Sequence, residues 1–247
     1  MAVSARSASW DIPADRTASA VWLGVIWLGM IIGFAIDFPG FLKEKPPAPA
    51  LTYLHAAVFV GWLLLITAQV IFVLRGSMTR HRRLGSKLGY LAALMVPLGL
   101  AAALTAAAQA HAPPQFFALQ FVDILSFITF VVLGLKYRRQ PAAHKRLMML
   151  SMVALGNAGF ARATEYLVNP KTPLGFFVGN YYGDALLVAA MFGWDLWRRR
   201  RVHWALLIGG TSLVGAELLV AFAYFNPTWK VVATSIVRAW GYTGGMP

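Results

Sequence analysis

The sequence predicts an all-α integral membrane bundle of seven transmembrane helices, with a cytoplasmic N-terminus and a C-terminal interfacial helix outside. Three observations carry this. The 247 residues are 59% hydrophobic and only 13% charged, where a soluble domain carries about twice that charged fraction; the mean hydropathy is +0.63. Seven apolar stretches are long enough to cross about 30 Å of hydrocarbon. The connections between them alternate strictly between two chemistries, one basic and one rich in proline.

Residues 1–20 are mixed polar, with Arg6, Asp11, Asp15 and Arg16, and the apolar run that follows is closed by no small-x-small cleavage site. This is read as a cytoplasmic segment leading into a retained first span rather than as a signal peptide. The spans are expected at 21–38, 51–74, 86–108, 116–136, 147–168, 178–197 and 203–225. They must be helices, because lipid leaves no partner for an unpaired backbone group. The tail, 226–247, is expected to be an interfacial segment. Within 228–241, Trp229, Val232, Ile236 and Trp240 recur at helical spacing, with Lys230, Thr234 and Arg238 on another face, a pattern suited to a membrane surface.

Charge sets the orientation. Arg75, Arg80, Arg82, Arg83 and Lys87 fill the second connection, Lys136, Arg138, Arg139, Lys145 and Arg146 the fourth, and Arg198 to Arg201 the sixth. With the N-terminus inside, 16 of the 22 lysines and arginines are cytoplasmic, as the positive-inside rule requires. In a soluble chain a net charge of +13 would point to nucleic acid; here it points to anionic lipid on the cytoplasmic face, with no nucleic-acid partner. The absence of cysteine excludes disulfides, thiolate metal sites and iron–sulfur clusters. No phosphate-binding loop or nucleophile elbow is present, and no catalytic residue stands out.

Three hairpins repeat one arrangement: a helix descends to a basic turn, and the return begins at a histidine. His81, His144 and His203 are these histidines, and Asp123 and Asp184 recur in the second and third descending helices. On the third span Gly85, Gly89, Ala93, Pro97 and Ala101 recur every four residues, a spacing that predicts close helix packing.

His55, Asp123, Arg162, Glu165, Asp184 and Glu217 all fall within spans and all in the expected outer half. Intramembrane charge costs at least about 2.5–3.5 kcal/mol per residue, so such groups face one another or water and usually have a task. They predict a polar pocket for a proton, a cation or a small polar or lipid headgroup, with Arg162 and Glu165 paired across one turn on a face shared with Ala154 and Ala158. The alternative is a structural network that locks the helices. Asp195 is expected to pair locally with Arg198 and Arg199, and Asp37 to be interfacial.

The histidines admit two readings. His55, His81, His144 and His203 are candidate ligands for haem or another metal. Alternatively the cytoplasmic three flank helix starts beside Arg82, Arg83, Lys145, Arg146, Arg199 and Arg200, and that basic set holds anionic lipid headgroups; this second reading is preferred. A membrane enzyme acting on lipid or prenyl chains, and an accessory subunit of a larger complex, remain open.

His55 with Gly61-Trp62, the turn His81-Arg82-Arg83-Leu84-Gly85, Asp123, and the turn His144-Lys145-Arg146-Leu147-Met148 together resemble a family of bacterial polytopic inner-membrane proteins. The resemblance covers about residues 50–205. It implies a multi-pass protein of a bacterial inner (plasma) membrane and supplies no activity. The same turns are loosely similar to small proteins of respiratory-oxidase assembly and to some cytochrome-b-like proteins. Microbial rhodopsins share the helix count and length, but residues 203–225 contain no lysine to match their Schiff base.

Overall fold

The computed structural model describes residues 13–43, 48–109, 111–164, 168 and 171–241. Eight helices follow in order: α1 (Pro13–Phe41), α2 (Ala50–Leu74), α3 (Met78–Ala108), α4 (Phe117–Lys136), α5 (Pro141–Thr164), α6 (Pro173–Arg199), α7 (Trp204–Tyr224) and α8 (Pro227–Trp240), with a 3-10 turn at Pro114–Phe116. There is no strand among the described residues. Six of the helices, α1 to α4 with α6 and α7, are long and apolar enough to cross a membrane. The expected spans at 21–38, 86–108 and 178–197 sit inside longer helices, because helix propensity carries each into its polar flank.

The remaining predicted span becomes α5, the least apolar of the long helices, and its position explains its composition. It packs against α1, α4, α6 and α7, meets α2 where Trp62 donates to the Met152 sulfur at 3.3 Å, and meets α3 where the His81 and His144 rings lie 6.2 Å apart. From Leu147 to Phe160 only Met148, Leu155 and Ala158 are not buried. A helix walled in by protein needs no lipid-compatible surface, so Ser151 and Asn157 are tolerated within it. Trp62, Phe127, Leu150, Met152 and Leu213 form the packed middle of the bundle.

The closest crossing joins α1 to α5. A Cβ on Gly33 would fall 1.9 Å from the Gly159 carbonyl oxygen, and one on Gly159 would fall 2.5 Å from Met30 Cα. Gly29 meets the Phe160 ring in the same way. Gly29 and Gly33 are four residues apart, a small-xxx-small pair that lets two backbones touch. The expected packing stripe on α3 is used only in part: Gly85 and Gly89 face Gln69 and Leu135, but Ala93 and Pro97 are exposed, and the buried face is Leu88, Ala92, Met95, Gly99 and Ala102.

All three predicted hairpins form, as α2–α3, α4–α5 and α6–α7. They give the bundle a basic end, with the turns at 75–77, 137–140 and 200–203, and a proline end opposite. At the proline end α8 docks on α3 and the 3-10 turn. Ala233 and Val237 are its buried face, Trp229 donates its indole N–H to the Gln115 carbonyl (2.9 Å), and Trp240 donates to Thr105 (3.1 Å). Val232, Ile236 and Trp240, the stripe expected to be apolar, stay exposed. The helix therefore has one face for protein and a second, apolar face free.

Gly33→Val and Gly159→Val are each expected to lower stability by at least about 1–3 kcal/mol, the usual cost of overpacking. Gly24→Val, where a Cβ meets open space, is expected to cost little. Thermal unfolding of the three variants in detergent checks this.

Candidate functional site

Two polar clusters lie inside the bundle, one toward each end, and they are built on opposite electrostatic terms.

Toward the proline end, α4 carries Asp123, α5 Asn157, α6 Tyr181 and Asp184, and α7 Glu217. The acids lie six, eleven and seven residues from the proline ends of their helices. Asp184, Glu217 and Tyr181 are each fully buried, and Asn157 is 1% exposed. The Asn157 amide donates to Asp123 Oδ2 at 2.7 Å. Asp184 and Glu217 face one another, and no donor reaches any of their four oxygens. Asp123 Oδ1, Asn157 Oδ1 and the Tyr181 hydroxyl are likewise enclosed and unpartnered. The three acids and the tyrosine share one electrostatic neighbourhood.

Rings close the cluster toward the proline end. Phe176 stacks on Tyr224 with centroids 4.3 Å apart, and Phe116 sets its edge against both, at 6.0 and 6.2 Å. Toward the basic end lie Leu187, Val188 and Met191 on α6, with Phe127 and Leu213 beside them. Asp184 and Asp195 stand 11 residues apart on that helix, about 16 Å at 1.5 Å per residue.

Of the six residues expected in one pocket, Asp123, Asp184 and Glu217 come together. Arg162 lies elsewhere: its Nε donates to Asp37 at 2.8 Å, both side chains being about one-third exposed, and its guanidinium lies 4.4 Å from the centre of the Phe34 ring. It belongs to the α1–α5 seam, and Asp37 is its partner there. Glu165 lies outside the described residues. His55 packs on Phe59 with centroids 4.1 Å apart and an enclosed, unpartnered Nδ1; the charge that acts on it is Arg162. Asn157 and Tyr181 were not foreseen. The signal was available, since an asparagine in mid-span has the same need for a partner as a charge.

At the basic end the acids are surrounded by cations. Asp195 accepts from Arg146 through both oxygens, from Arg199 at 3.2 Å and from the His203 backbone N–H at 3.1 Å. Asp15 accepts from Lys145 at 2.5 Å, Arg199 at 2.5 Å and the Trp194 indole at 2.9 Å. Arg199 therefore bridges α1 to α6. This corrects two expectations. Lys145, Arg146 and Arg199 are directed at carboxylates and, in the case of both arginines, are buried, so they do not present their charge to headgroups; Arg82, Arg83 and Arg200 are exposed. The Asp195 partner besides Arg199 is Arg146, while Arg198 lies over Trp194 and Trp197. Asp15 was read as part of a polar leader, because nothing local marks its distant partners.

Of the candidate haem or metal histidines, only His81 and His144 meet. The His144 Nδ1 lies 2.8 Å from the Gly134 carbonyl. Turned with its nitrogen toward His81, the Gln69 amide donates to Nδ1 at 2.6 Å and accepts from the Gly85 N–H. Among the described residues no group of three His, Cys, Asp or Glu side chains is arranged to hold a metal ion. His203 caps α7, its Nδ1 accepting from the Ala205 N–H at 3.1 Å.

No protein-family model, no curated protein and no solved structure matches the chain.

Asp195→Asn is expected to cost about 3–5 kcal/mol, since it leaves buried guanidinium charge uncompensated. Asp37→Asn, in a partly solvated pair, is expected to cost under about 1 kcal/mol. Unfolding midpoints of the two variants decide the ranking.

His203 adds a pH dependence. It stands one residue ahead of the α7 span, and burial, helped by the Arg146 charge, pushes its imidazole from 6.5 down to about 4. The folded state favours the neutral ring, so this contribution is complete above pH 6.5 and is lost as pH falls toward 4. His203→Asn, which keeps a capping acceptor, is expected to flatten the midpoint-against-pH curve in that window.

Proposed function

We propose that the chain is a seven-span protein of a bacterial inner membrane, N-terminus inside, that binds and releases protons at the cluster of Asp123, Asp184 and Glu217. The observation that carries this is a set of three acids meeting inside the bundle with no cation among the described residues to balance them. Two carboxyls that face one another in a dry site are stabilised by a shared proton. A proton is preferred over a metal ion because the described acids are not gathered as a metal-holding group. The enclosure of α5 supports counting it as a seventh span, and the placement of 16 of the 22 lysines and arginines supports the orientation.

The apolar layer of about 16 Å between Asp184 and Asp195 supports binding over transport: protons exchange with one side only. Infrared spectroscopy of the purified protein at neutral pH is expected to show the carbonyl stretch of a protonated carboxylic acid, diminished in Asp184→Asn and in Glu217→Gln. A wild-type spectrum without that band removes the reading. Proteoliposomes are expected to show no net proton flux; a flux abolished by Glu217→Gln would replace binding with transport.

The His81–His144 contact favours a second reading, a metal held between two imidazoles, for which Gln69 would turn its carbonyl oxygen to a protonated His81 Nδ1 and free Nε2 as the ligand. Iron of a haem has the chemistry for such axial ligation, and a backbone carbonyl at the far ring nitrogen, as on His144, is the usual support of a ligating histidine. A reduced-minus-oxidised absorption spectrum of the wild type and of His144→Ala tests it.

A further inference from the structure

A row of cations outside any ion pair among the described residues lies on α3, at the basic end and far from the acid cluster. Arg80, Arg83 and Lys87 fall at i, i+3 and i+7, on one face of the helix. With Phe72 of α2 and Leu84 they line an open surface groove of about 280 Å³. All three cations are exposed, and no ion pair among the described residues uses any of them. The α3 N-terminus adds to the field: the Ser77 side chain caps none of its free N–H groups, and a helix start favours an anion.

The same face continues into the apolar belt. Tyr90 and Leu94, at i+10 and i+14 from Arg80, are 82% and 48% exposed. Read from the helix start inward, the face is three cations, an aromatic ring and an aliphatic side chain. A free phosphate ion would use only the first part. A phospholipid uses all of it, with the phosphate on the cations and an acyl chain along the ring and the leucine.

We infer that Arg80, Arg83 and Lys87, with Phe72 and Leu84, form a binding site for one anionic diacyl phospholipid, its phosphate in the open groove and its tail along Tyr90 and Leu94. At the other basic turns several cations are already engaged. Lys145, Arg146 and Arg199 are directed at Asp15 and Asp195, and Arg198 lies over two indole rings. The site is independent of the proton reading.

The test uses the full chain in neutral detergent, with native mass spectrometry to count bound lipid and thermal unfolding to confirm that each variant is folded. Phosphatidylglycerol is the probe, with phosphatidylcholine and inorganic phosphate as comparisons. Phosphatidylglycerol is expected to bind at least about tenfold more tightly than phosphatidylcholine, and the triple variant Arg80→Gln/Arg83→Gln/Lys87→Gln to lose that preference. Arg138→Gln/Arg139→Gln, at the exposed turn between α4 and α5, is expected to keep it. Tyr90→Ala is expected to weaken both lipids without touching the preference. Equal binding of the two lipids, displacement by inorganic phosphate at matched concentration, or an equal loss in the Arg138/Arg139 variant would each overturn the site.

Discussion

The enclosure of α5 is the constraint on which the polar interior rests. A helix facing lipid must carry its polar groups at its ends or hide them. Because the other long helices surround α5, it supplies Arg146 to Asp195, Asn157 to Asp123 and Arg162 to Asp37 at three different heights. The glycine contact with α1 makes the enclosure tight on one side: backbone against backbone at Gly33 and Gly159 leaves no room for anything between. Packing of small residues and placement of polar ones are thus two sides of one arrangement.

The two interior clusters treat charge differently. At the basic end, carboxylates meet cations at hydrogen-bond distance and the network ties α1, α5 and α6 into one unit. A buried ion pair of this kind does little for net stability, yet it is costly to break, so it fixes which helices neighbour which. Toward the proline end the acids meet one another, and the groups that approach them are an amide and a phenol, neither of which carries positive charge. That these acids meet without a cation among the described residues is what the proton reading rests on.

Most of the fold was legible in the sequence because long apolar runs and loop charge are local signals. The boundaries of α2, α4, α7 and α8 fell within a residue or two of expectation. Asp123, Asp184 and Glu217 were legible as a group because each is an acid within an apolar run. What escaped depends on how helices are rotated about their axes. The small-residue stripe on α3 has the same spacing as Gly29 and Gly33 on α1, and only the packing tells that the first turns outward at Ala93 and Pro97 while the second faces inward. Arg162 and Glu165 look like a pair along one helix, while the structured partner of Arg162, Asp37, is 125 residues earlier. Lys145 and Arg146 read as membrane-surface charge because their acids lie on other elements, and for Arg199 only the local acid, Asp195, was visible while Asp15 was not.

Asp15 has a consequence for how the protein is made. Its partners Lys145 and Arg199 follow it by 130 and 184 residues. During synthesis α1 emerges before α5 and α6, so its carboxylate meets Lys145 only when α5 is made and Arg199 only when α6 is nearly complete. A helix made early is therefore locked in place late. Until Lys145 arrives, the half-built chain holds this acid without either cation, and Arg199 completes the pairing only as α6 is finished.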